Sequence, residues 1–127
     1  MEKQKFYVLT WNFNLDMLEH YDVLPYFRSC YAERKKKAKG KRIQKIIAED
    51  PKMKKYYGVP ETRAELREFI ESESLYTYWA RCQYEMIIHG WPVRENDYKI
   101  DVHEQVMMNI DVITDILEKE FKIGLKR

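Results

Sequence analysis

His20 and Asp22 stand two residues apart in a segment that reads as a strand. Both side chains then share a face, and the carboxylate could orient an imidazole for proton transfer. No nucleophile or third group stands beside them, and a histidine on a surface hairpin accounts for the pair as well. Glu85 and His89 would be neighbours on a helix, but in a strand four rises hold them about 13 Å apart. His103 and Glu104 fall in a first helical turn beside Asp101, where capping explains both acids. Glu33-Arg34-Lys35 has the acid–x–Lys form used by metal-dependent nucleases. That chemistry needs the pair on a strand, with a second carboxylate converging on a divalent ion, and here the fragment falls in a helix. The two cysteines, Cys30 and Cys82, are too few for a disulfide framework or a thiolate zinc site and read as buried free thiols. A glycine-rich phosphate loop, a G-x-S-x-G elbow and Cys/His ligand spacing are all missing from the sequence. The expectation is a non-enzymatic binding protein with no cofactor and no metal. The competing reading is a small metal-dependent nuclease or other enzyme built on His20, Asp22 and Glu85.

Charge supplies a stronger signal. From Arg28 to Lys55 there are twelve Lys and Arg against three acids, a net of +9 in a chain whose total is +2. Eight of the cations fall within twelve residues: Arg34, Lys35, Lys36, Lys37, Lys39, Lys41, Arg42 and Lys45. Like charges this dense attract phosphate backbones, a nucleoprotein or an acidic protein partner, although a solvated, mobile helix end would carry the same residues. No aromatic residue interrupts the tract; Tyr31, Tyr56 and Tyr57 only flank it, so phosphate contact is better supported than base reading. A second candidate surface is Trp79, Arg81, Gln83 and Glu85, which share one face of a strand; Trp and Arg dominate interface hot spots. That face offers a third function class, a homo-oligomeric interaction module, with a homodimer as its simplest form.

The elements that must position these residues follow from periodicity. Residues 5–13 are aromatic and β-branched, with Tyr7, Leu9, Trp11 and Phe13 on one face and Phe6 and Val8 on the other, the latter beside Trp79 on the open sheet face. Turn formers at 12–16 and a return over 17–21 make a hairpin. Asp22 reads as the N-cap of a helix over 23–37, with Pro25 in its first turn and Leu24, Phe27, Cys30 and Tyr31 at helical spacing. A short helix passes through Ile43, Ile46 and Ile47; Asp50-Pro51 opens another, which Gly58 stops. Thr62 to Glu65 fits a capping box before Leu66, Phe69 and Ile70. Residues 75–89 alternate at period two and read as the longest strand, with a possible short strand at 98–100. Val102, Val106, Ile110, Ile113, Leu117 and Phe121 predict one C-terminal helix, closed by Lys122 and Gly124. The fold class is α+β: a small antiparallel sheet, made of the N-terminal hairpin and the strand near 75–89, with helices packed mainly on one face. Residues 1–127 read as a single domain with a lysine-rich insert at about 34–58.

The apolar share of 45% supports one core, and the charged share of 35% a strongly solvated surface. No run approaches the ~18 apolar residues of a membrane helix, and no apolar leader precedes the first strand. The expected setting is cytoplasmic, without a membrane. Three segments, Tyr78 to Glu85, Asp101 to Asp111 and Tyr21 to Pro25, resemble an uncharacterised family of small proteins from phages and other mobile elements of gut Firmicutes. The resemblance covers most of the chain apart from 34–58 and carries no activity and no catalytic residues. It implies a bacterial host cytosol and a protein that binds and disables a host system, as an anti-CRISPR inhibitor blocks a nucleic-acid channel.

Overall fold

Two β-strands open the computed structural model, which describes residues 3–12, 17–75 and 102–124 of the 127-residue chain. Strand β1 (Tyr7–Asn12) pairs antiparallel with β2 (Met17–Asp22), Tyr7 opposite Asp22 and Leu9 opposite His20. The Asp22 carboxylate accepts hydrogen bonds from the backbone N–H of Phe6 at 3.0 Å and of Leu24 at 3.1 Å, so one side chain closes the hairpin and opens the next helix. That helix, α1 (Leu24–Ala38), has Pro25 in its first turn, where a missing N–H costs nothing. The chain turns at Gly40 into α2 (Lys41–Glu49), a 3₁₀ turn (Pro51–Met53) capped by Asp50, and the four-residue α3 (Lys54–Tyr57). Helix α4 (Arg63–Leu75) follows. After it the described chain resumes with α5 (Val102–Met108) and α6 (Ile110–Phe121). The architecture is α+β, helices packed beside a small sheet. The long strand expected over 75–89, with Trp79, Arg81, Gln83, Glu85 and Cys82, and the short one at 98–100 lie outside the described residues.

One core joins the two ends of the chain. Val8, Val23, Leu24 and Phe27 pack with Leu66, Phe69 and Ile70 of α4 and with Val102, Val106, Ile113 and Leu117. Removing a side chain of this size from water stabilises by about 1.5–3 kcal/mol. The hairpin faces this core the other way round from the expectation: Val8 and Thr10 are buried, whereas Tyr7 and Leu9 are exposed. Alternation makes Tyr7, Leu9 and Trp11 the more apolar face and Val8, Thr10 and Asn12 the less apolar one, so periodicity points the wrong face inward. The small, β-branched Val8 and Thr10 let the helices approach, while the Tyr7 ring meets His20 edge-on at 6.5 Å.

One helix start and one helix end follow the expected plan, and one expected helix is divided. In the capping box, Thr62 Oγ1 accepts from Glu65 N–H at 3.1 Å, and the Glu65 carboxylate in return accepts from the backbone N–H groups of Glu61 and Thr62. The C-terminal helix expected as a single element is two. At Asn109 the side-chain amide donates to Gln105 O at 2.8 Å, the carbonyl its own backbone N–H would take in a continuous helix, and that N–H turns to Val106 O. The apolar stripe continues across this break, which is why periodicity hides it. Closure falls where expected, at Lys122 and Gly124: both have positive φ (56° at Lys122), and the paired bonds Ile123 N–H to Glu118 O and Lys122 N–H to Lys119 O form a Schellman motif. Lys122→Gly is expected to raise stability by about 0.5–1 kcal/mol, since glycine adopts this conformation without Cβ strain. Chemical denaturation checks it, and a loss of stability would contradict it. Among the described residues no helix is long and apolar enough to cross a membrane.

Candidate nucleic-acid interface

The eight cations singled out from sequence do not share one fate. Arg34 is buried, with 7% of its surface exposed, and the expectation of a solvated contact residue is corrected at this position. Leu24, Phe27 and Tyr31 of α1 run at steps of three and four, and Arg34 is the next residue on that inward stripe. Its guanidinium donates to Lys55 O and Gly58 O, each at 3.0 Å, and reaches Glu73 Oε1 at 2.7 Å and Ser72 Oγ at 3.4 Å. The Phe69 ring lies under it, 4.7 Å from centroid to the guanidinium carbon. Arg34 thus pins the end of the lysine-rich segment to α4. Gly58 must be glycine for this clasp: a Cβ there would stand 2.8 Å from Lys54 O.

The remaining seven are exposed, six of them on regular helices and Lys39 at the C-cap of α1. Lys35 lies over the Tyr31 ring at 5.5 Å, and Tyr31 in turn stacks on Phe121. Lys37 pairs with Glu33 and Lys45 with Glu49, one helical turn apart in each case, and such surface pairs are worth only a few tenths of a kcal/mol. Lys36, Lys39, Lys41 and Arg42 form no ion pair with the described residues. They cluster at the Gly40 corner, where α1 ends and α2 begins without a side-chain cap. Outside the tract, Arg28 makes a two-pronged contact with Glu120, and Arg67 pairs with Asp111. Lys54 meets Glu65 Oε2 at 2.8 Å. Burial would raise the Glu65 carboxyl, but this bond and neighbouring backbone N–H groups hold it below its ordinary range.

Folding brings to the tract the aromatics that its sequence lacks. Helix α3 packs back so that Tyr56 and Tyr57, 40% and 42% exposed, line an open cleft of about 460 Å³ with Lys37, Ile43, Glu33 and Glu73. Lys55 stands over the Tyr56 ring at 5.0 Å. A second cleft of about 350 Å³ lies beside it, bordered by Lys52, Lys54, Lys55, Glu65 and Glu68. Cys30, a free and half-buried thiol at the inner end of the first cleft, is pushed up to about 12 by burial and then by the Glu73 carboxylate. A thiol held protonated in this way is no nucleophile at neutral pH.

Of the residues proposed for an enzyme, Asp22 is otherwise engaged. Asp22 spends its carboxylate on backbone N–H groups and does not orient His20. Sequence reading missed a serine–histidine contact: Ser74 Oγ lies 2.6 Å from His103 Nδ1 and donates to Glu71 O. Ser74 is fully buried, and this contact ties α4 to α5. Among the described residues no three His, Cys, Asp or Glu converge in a way that could hold a metal ion. Glu85 lies outside those residues. No family model matches the chain, and neither curated proteins nor solved structures give a match.

Proposed function

We propose that the protein is a non-enzymatic binding protein whose basic corner engages nucleic acid or a nucleoprotein. The observation that carries the reading is the state of the tract: seven exposed cations, five of them without an ion-pair partner among the described residues, on and between two helices that Arg34 anchors to the core. Like charges fixed in place repel one another, and an anionic partner relieves that repulsion. The specific form proposed, in keeping with the resemblance to small phage proteins, is a counter-defence inhibitor that occupies or competes for a host nucleic-acid channel in the bacterial cytosol.

Salt titration of binding tests this. With four to six phosphates neutralised, raising salt from 50 to 200 mM is expected to weaken binding by roughly two to three decades. Changing Lys36, Lys39, Lys41 and Arg42 together to Gln should flatten that slope while denaturant melts stay within about 0.5 kcal/mol, because these side chains are solvated. Full binding by the quadruple variant would remove the tract from the function.

A further inference from the structure

We propose, building on the reading of the corner as a polyanion site, that its ligand is single-stranded nucleic acid, with bases stacked on Tyr56 and Tyr57 and phosphates along the Lys37–Arg42 rim. The charge layout of the cleft argues for this division. Glu33 and Glu73 line it, paired with Lys37 and Arg34, beside Ile43 and the two rings, so its interior is close to neutral and suits a flat, polar-edged base better than a phosphate. The cations stand at its border: Lys37 lines it, and Lys39, Lys41 and Arg42 continue from Lys37 around the Gly40 turn. Both tyrosines belong to a helix of only four residues and keep about two-fifths of their surface in water. Ring faces so placed are stacking platforms that accept any base, next to a groove that tracks the backbone. A duplex turns its base faces inward and has nothing to offer the rings, so pairing of the strand removes half of the contact. The cation–π contact of Lys55 with Tyr56 sets a phosphate ligand beside a base ligand within the span of neighbouring nucleotides.

The test uses the full chain, a fluorescently labelled twelve-nucleotide oligo(dT) and a twelve-base-pair duplex, read by anisotropy at fixed low salt. Single-strand binding should be tighter than duplex binding. Tyr56→Ala and Tyr57→Ala should each weaken it by about 5- to 100-fold, with the salt slope unchanged. Tyr57→Phe should retain binding and Tyr57→Leu lose it, which separates ring stacking from loss of fold. The quadruple Lys/Arg→Gln variant should weaken strand and duplex alike. Equal affinity for strand and duplex, or tyrosine variants within twofold of wild type, would overturn this inference and leave the proposed function standing. Binding of neither oligonucleotide would overturn both.

Discussion

Replacing Arg34 with alanine is expected to lower the unfolding free energy by about 3–5 kcal/mol, an effect far larger than that of any other cation in the tract. Four acceptors lose their donor at once: two backbone carbonyls, the Ser72 hydroxyl and the Glu73 carboxylate. Glu73's side chain is itself 19% exposed, so much of the cost is a carboxylate left in a poor solvent. The pair need not be an optimal choice for stability, since among the described residues the Arg34 Nε is buried without an acceptor. Removing one partner is nonetheless costly, because the other is stranded. Urea melts of Arg34→Ala beside Lys36→Ala decide the matter: the second is expected within about 0.5 kcal/mol of wild type. A loss below about 1 kcal/mol for Arg34→Ala would return it to the solvated tract.

Truncating Phe69 to alanine should cost about 3–5 kcal/mol through lost transfer energy and the cavity left behind. The ring is 1% exposed and sits 6.4 Å from both Phe27 and Tyr31, so no neighbour can collapse into its place without losing contacts of its own. It also carries the Arg34 guanidinium on its face. Arg34→Ala and Phe69→Ala should therefore be non-additive, with a coupling energy of about 0.5–2 kcal/mol in a double-mutant cycle. Strict additivity would mean that the arginine is held by its hydrogen bonds alone.

Local chemistry made much of this fold legible in advance. The hairpin, the Asp50 cap, the stop at Gly58 and the Leu66–Phe69–Ile70 stripe each depend on a few neighbouring residues, and each stands where the residues place it. Asp22 still bonds the Leu24 N–H, but the N-cap falls one residue later, at Val23. What escaped depends on partners far away in sequence. Arg34 reads as one more member of a lysine run, and only its place on the Leu24–Phe27–Tyr31 stripe marks it as inward-facing. Its acceptors come from residues 55 to 73. Tyr56 and Tyr57 look like flanking residues until α3 folds back beside α2. The orientation of β1 is set by which face the helices can approach, and the Asn109 break by a single side-chain hydrogen bond.

Gln105 gives one contact a temporal meaning. Its side-chain amide accepts from Leu9 N–H at 2.8 Å and donates to Leu9 O at 2.9 Å, so α5 supplies one peptide group's worth of pairing to β1 across 96 positions of chain. An isolated two-stranded hairpin is at best marginally stable in water. Val8, the inward residue next to Leu9, likewise finds core partners such as Val102 and Val106 in the C-terminal helices. As a ribosome makes the protein, the hairpin therefore lacks this pairing, and the Val102 and Val106 side of its core, until α5 has been made. The basic α1–α2 corner is exposed to the polyanions of the cell throughout that wait, and structure begun at Leu9 is completed by Gln105.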